Sequence, residues 1–249
     1  MHGESVALNK DISKIKDVLK MIAHKDKAVI NQWLKENGFE IELSGSESPN
    51  TFCVASILDV MVEWLEKGEE ATIRAQYPAV KIKCSDGASV FRNNGIEIAR
   101  LTTKSDEVVY MSMIDDEPQG ELGIHKILGT IPDHMTLDTS YDEIVFPMID
   151  YNKVVDISWL KGLSTGTNDN DWEVAEAVQQ TKFRMNEVGA RAQSAVAMRM
   201  FSCIIASKPK RIFVINKPFL LWIKRQGISF PLFAGFFAED SWKRPEGLS

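Results

Sequence analysis

The chain has 249 residues, 44% of them hydrophobic and 26% charged, with a formal net charge of -6. That is enough chain and enough apolar content to bury a sizeable core, which excludes a disordered or low-complexity protein. The acidic balance argues against a surface that tracks nucleic-acid phosphates, which needs an excess of Lys and Arg. Three cysteines, Cys53, Cys84 and Cys203, are too few and too odd in number for a disulfide framework.

The N-terminal stretch lacks the apolar core of a signal peptide, and no apolar run is long enough to span a bilayer. As written the chain reads as cytoplasmic and without a membrane partner; an upstream segment, if one exists, would make it extracellular. From Ile12 to Trp33, Ile15, Val18, Leu19 and Ile22 recur at helical spacing, and Ile30, Trp33 and Leu34 do so again, predicting one or two helices. Asn37-Gly38 marks a stop, and Ser44 to Asn50 a polar loop. Phe52 to Trp64 is strongly apolar and compatible with a buried strand or a helix.

Strand signals dominate from Val80 onward. Val80–Cys84, Gly95–Leu101, Glu107–Ile114 and Glu143–Met148 are short runs rich in β-branched or aromatic residues, separated by turn residues. Glu121 to Met135 holds a short helix, and Ile157 to Leu163 another. Arg211–Ile215, Phe219–Lys224 and Phe230–Phe237 form a terminal set of strands. The pattern predicts an α+β chain with helices early and strands late.

No catalytic constellation emerges. The four histidines, His2, His24, His125 and His134, include no His-x-x-x-His pair, and there is no Cys-x-x-Cys. A Gly-x-Ser-x-Gly elbow and a phosphate-binding glycine loop are also missing. Asp115, Asp116 and Glu117 precede Pro118 and read as a solvated turn. Cys203 has no base near it in sequence, so an inert thiol is the better reading. The chain is read as not an enzyme, with no cofactor and no metal.

The informative stretch is Met185 to Met200, MNEVGARAQSAVAMRM. In an extended chain Ala190, Ala192, Ser194 and Val196 share one face, and Arg191 and Gln193 the other. Such a segment can enter a packed sheet with its small residues inward. Its composition equally suits an Ala-rich helix.

With Glu187 and Gly189 leading into these small residues, the stretch resembles the proximal hinge of the serpin family. Asn216-Lys-Pro-Phe219 followed by Leu221-Trp-Ile223 resembles the strand after that family's reactive loop. Phe230-Pro-Leu-Phe233 with Gly235 resembles its final buried strand, and Phe146-Pro-Met148 the strand before a family helix. Ile30-Asn31-x-Trp33 and Val54 to Trp64 are weaker matches. The resemblance implies one serpin-like domain over residues 1–249, strongest over 141–249, with 1–29 an unassigned helical segment. It also implies a large mixed β-sheet with additional sheets, helices concentrated toward the N-terminus, and an exposed reactive-centre loop. Family members are longer, so the chain reads as reduced or N-terminally truncated.

The implied function is inhibition of a serine or cysteine protease, which cuts the loop and is carried off as the hinge inserts into the sheet. The implied hinge is Glu187, Gly189, Ala190, Ala192, Ser194 and Val196. Counting forward from Glu187 by family spacing puts the cut near Cys203-Ile204, and counting back from Phe219 puts it near Ser207-Lys208. The alternative is a non-inhibitory binding or structural protein on the same fold, or an inactive fragment of it.

Overall fold

The computed structural model describes residues 14–44, 51–58, 60–93, 95–119, 123–131, 134–155, 162, 173–177, 179–190 and 210–246. In chain order the first elements are β1 (Leu19–His24), α1 (Lys27–Glu36), β2 (Thr51–Leu58), β3 (Val62–Glu63), β4 (Glu69–Ile73) and β5 (Tyr77–Lys83). There follow β6 (Ala88–Asn93), β7 (Ile96–Thr102), β8 (Glu107–Met113), α2 (Gly123–Thr130), β9 (Thr136–Leu137), β10 (Glu143–Pro147) and β11 (Ile149–Val155). The last are β12 (Glu173–Ala177), β13 (Gln179–Met185), β14 (Gly189–Ala190), β15 (Ile212–Val214), β16 (Phe219–Arg225) and β17 (Phe233–Phe237). They divide into two compact units, one of residues 1–59 with 152–182 and one of 60–151 with 183–249.

In the first unit, α1 starts where the Asp26 carboxylate accepts from the Ala28 N–H at 2.8 Å, an N-cap bond. It ends at Asn37, with Gly38 at φ +80°, so the sequence's stop signal is correct. Ile30 and Leu34, one turn apart, are buried against Leu43, Ala55 and Ile57. The Asn31 amide pins that packing by donating to the Leu43 carbonyl at 3.1 Å and accepting from its N–H at 2.9 Å.

The apolar spacing before α1 is not helical in the fold. Leu19 to His24 is a strand, paired antiparallel with β2 from Leu19↔Leu58 to His24↔Cys53. The ladder satisfies the backbone groups of these residues across the sheet, and that tertiary pairing overrides the helix-like spacing of Val18, Leu19 and Ile22. Within the stretch expected to be helical, Leu19–His24 is thus a strand, while Lys27 onward is α1. β2, the stretch compatible with strand or helix, is a strand. It also pairs in parallel with β12, with a bulge between Val174 and Glu176, so the β1-β2-β12 sheet is mixed.

The second unit carries the larger core. Its six-stranded sheet runs β17-β16-β8-β7-β6-β9 and is antiparallel throughout. A four-stranded sheet runs β15-β10-β5-β4, antiparallel except where β10 meets β15. The six-stranded sheet buries both faces, as strand alternation allows. Val109, Met111, Phe219, Leu221 and Ile223 join Trp64, Phe146 and Trp242 in the main core. On the opposite face Ile98, Leu220 and Trp222 pack beneath α2, through Ile127 and Leu128. The helix expected within Glu121 to Met135 is α2. α1 and α2 are the α-helices among the described residues, so helices there are few. The helix expected at Ile157 to Leu163 lies outside the described residues, apart from Gly162.

Candidate functional site

The second unit holds the start of the small-residue stretch in a distinct setting. Strand β13 ends at Met185, the chain turns through Asn186, Glu187 and Val188, and β14 runs back beside it, with Met185 paired to Ala190. On its other side β14 pairs antiparallel with β3, Gly189 opposite Glu63 and Ala190 opposite Val62. Gly189 and Ala190 therefore form a middle strand between β13 and β3. Ala190 is 1% exposed.

The turn is held by its own first residue and by the wall it meets. Asn186 Oδ1 accepts from the Val188 N–H at 2.9 Å, an Asx turn, and the Asn186 N–H donates to the Gly189 carbonyl at 2.9 Å. The Trp64 indole N–H donates to the Asn186 carbonyl at 2.9 Å, and the Trp64 backbone N–H donates to the Val188 carbonyl at 3.0 Å. The Gly68 N–H donates to the Glu187 carbonyl at 2.8 Å. Two glycines allow this approach. A Cβ at Gly189 would lie 2.2 Å from the Val62 carbonyl oxygen, and one at Gly68 would lie 2.3 Å from Val80 Cγ1. Trp64 itself is fully buried, edge-on to Phe146.

Of the expected hinge residues, Glu187, Gly189 and Ala190 are brought together here. Ala192, Ser194 and Val196 lie outside the described residues, as do the candidate scissile residues Cys203, Ile204, Ser207 and Lys208. The residues that meet β14 and its turn, Val62, Trp64 and Gly68, carried no signal in the sequence beyond the weak match ending at Trp64.

Where the chain returns, Lys210 and Arg211 lead into β15, which pairs in parallel with β10 over Glu143–Val145. The Lys210 ammonium sits 2.6 Å from the Glu143 carboxylate, whose side chain is 4% exposed. Asp142 holds Arg211 twice. Its Oδ2 accepts from the Arg211 N–H at 2.8 Å, and its own N–H donates to the Arg211 carbonyl at 2.8 Å. The Arg211 guanidinium lies 4.8 Å over the Tyr141 ring, a cation–π contact. Nearby Cys84 is pushed up from 9.0 to about 11, first by burial and then by the charges of Asp142 and Glu143.

A cavity of about 540 Å³ opens between α2 and the outer face of the six-stranded sheet. Tyr110 and Trp222 stack on its wall with centroids 5.4 Å apart. Leu128 and Met135 add apolar surface, and Arg100 and Lys224 add positive charge. The Arg100 Nε is buried there without a hydrogen-bond partner among the described residues. Among those residues, too, no group of three or more His, Cys, Asp or Glu is placed to hold a metal ion.

Residues 150–239 match the serpin (serine protease inhibitor) family. Solved structures with a similar fold include mouse protein-Z dependent protease inhibitor, at 15% identity and TM-score 0.55 over 90% of this chain and 75% of that one. Serpin48 of the insect Tenebrio molitor, described as a highly specific serpin, is 13% identical at TM-score 0.53 over 84% of this chain and 63% of its own. Human thyroxine-binding globulin, solved with its hormone, is 10% identical at TM-score 0.54 over 84% of this chain and 63% of its own. This chain thus spans less than two thirds of the length of several of the structures it matches. No curated protein sequence matches it.

Proposed function

We propose, from the serpin match over residues 150–239 and the serpin-like fold, that the chain is a serpin that inhibits a serine or cysteine protease by acting as its suicide substrate. The observation that carries this reading is Gly189–Ala190 hydrogen-bonded as a middle strand between β13 and β3. The same register, continued, would bury every second residue.

The proposed sequence begins with attack of the protease nucleophile on a carbonyl carbon in the segment after Ala190, with Cys203, Ile204, Ser207 and Lys208 the candidate region. The peptide bond breaks, the departing amine takes a proton from the protease's general acid, and the new end of the chain is held as an ester or thioester. Freed from its distal tether, the segment extends β14. Ala192, Ser194 and Val196 then take the buried face on which Ala190 already lies, and Arg191 and Gln193 the wet one. Small inward side chains matter because a charge brought into the sheet would lose its hydration without a partner. Each added residue pairs its backbone on both sides, so insertion runs downhill and carries the acylated protease with it.

Incubation with trypsin-like, chymotrypsin-like, elastase-like and papain-like proteases, read on a denaturing gel, tests the reading. A covalent band at the summed mass is expected with at least one of them. Clean cleavage after Ala190 with every one, and no such band, sinks it.

A second reading has its own observation. The cavity beneath α2 joins a stacked Tyr110–Trp222 pair to Arg100 and Lys224, which suits an aromatic anion and a carrier role without inhibition. A structural relative is named for binding thyroxine. Titration with thyroxine should quench tryptophan emission if this reading holds, and Arg100→Gln should weaken the quench; a flat titration rejects it.

A further inference from the structure

The notable thing about Lys210 and Arg211 is that two basic residues beside the proposed bait are both already engaged. A trypsin-like protease draws a basic side chain into an acidic pocket and hydrogen-bonds the neighbouring backbone as an added strand. Lys210 offers it little, because its ammonium lies 2.6 Å from a carboxylate that is itself almost wholly buried. Arg211 offers less still, since its N–H and carbonyl are both taken by Asp142 and its guanidinium lies over Tyr141. The next basic residue upstream, Lys208, precedes Pro209. The bond between them ends in a tertiary nitrogen with no N–H.

We infer that Asp142 and Glu143 form a latch that withholds Lys210 and Arg211 from basic-site proteases, so that these two residues tether the segment and do not serve as its bait. The inference rests on the inhibitor reading for its role in target choice, but the latch itself is a property of the fold. β15 has only three paired residues, Glu143↔Ile212 to Val145↔Val214. The side-chain bonds therefore make up a large part of what holds this end. The latch is also asymmetric. Glu143 lies on β10, an interior strand, with its side chain almost wholly buried, and Lys210 comes to it, so withdrawing Lys210 would take the direct ion-pair partner from a buried carboxylate. Outright release of the segment is opposed by that cost, and cleavage is left to bonds upstream.

The test is limited trypsin digestion of the native full chain, with fragments identified by mass spectrometry over time. Cuts after Lys210 and Arg211 should form at least tenfold more slowly than in the urea-unfolded chain. Glu143→Gln should raise the native rate at these bonds at least tenfold, and Asp142→Ala at least threefold, with circular dichroism unchanged. Asp142 is exposed, so Asp142→Ala decides the matter if Glu143→Gln does not fold. Native cuts at Lys210 or Arg211 as fast as in the unfolded chain overturn the latch, as do folded variants with unaltered cutting. Loss of the inhibitor reading looks different: no protease forms a denaturation-resistant complex, while the two bonds stay protected.

Discussion

The Trp64 indole N–H donates to the Asn186 carbonyl at 2.9 Å, joining the residue after β3 to the turn between β13 and β14. The same tryptophan is fully buried and edge-on to Phe146, so a single side chain serves both the core and the turn. Trp64→Phe should keep most of the packing and leave the Asn186 carbonyl unpaired. We expect a loss of about 1–3 kcal/mol in urea unfolding. Faster amide exchange at Val188 and Gly189 should accompany it, since the turn loses one of its holds. Wild-type exchange in a folded variant would show that the indole bond does not position the turn.

Ala192→Arg addresses the insertion step. Ala190 is buried, and in a strand residue 192 returns to the same face. A guanidinium there would have to leave water for the sheet without a partner. The variant should still be cut by the target protease yet lose the denaturation-resistant complex. Arg191→Ala, on the opposite face, should keep it. Stable complexes with Ala192→Arg would refute alternate-residue insertion.

The turn between β4 and β5 stores strain. The Gln76 N–H donates to the Ile73 carbonyl at 3.2 Å, and both central residues have positive φ, Arg74 at 51° and Ala75 at 59°. That is the geometry favoured by Asn-Gly. Arg74 has compensating contacts, to the Asn216 carbonyl and to Glu239 at 3.2 Å. Ala75→Gly should therefore stabilise by about 0.5–1 kcal/mol, read as a higher urea midpoint, because the backbone strain of alanine is removed and no contact of Arg74 is touched.

Cys84 should make stability fall in alkali. The folded thiol stays protonated up to about 11, whereas the unfolded one ionises around its ordinary 9.0. Between those values the unfolded state binds fewer protons, so stability declines as pH rises through that window and is unaffected by this group below it. Comparing urea midpoints from pH 8 to 11 for the wild type and Cys84→Ala measures it. The wild type should lose more across the window, and equal slopes would disprove the linkage.

Much of the β architecture was legible in the sequence. Short β-branched or aromatic runs bounded by turn residues marked β5, β7, β8, β10 and β16; β10 and the first five residues of β16 are buried on both faces, which is why they read as continuous apolar runs. Leu19 to His24 was not legible, because its apolar spacing is helix-like and only the long-range ladder to β2 makes it a strand. The stretch at Glu187, Gly189 and Ala190 stood out in the sequence through its resemblance to a family pattern. The strand and side chains that β14 and its turn meet were not legible: β3 is two residues long, and Trp64 and Gly68 are more than a hundred residues away in sequence. The engagement of Lys210 and Arg211 was not legible either, because their partners Glu143 and Asp142 are distant in sequence.

The six-stranded sheet sets a timetable for synthesis. Strand β8 leaves the ribosome with β7 already beside it, but its other neighbour, β16, follows only after β9 to β15 have been made. Until then Glu107 to Met113 presents an open edge, with Val109 and Met111 awaiting a cover. Nascent chains are thus exposed to mispairing for much of their translation, and chaperone supply and elongation speed should govern the yield of folded protein.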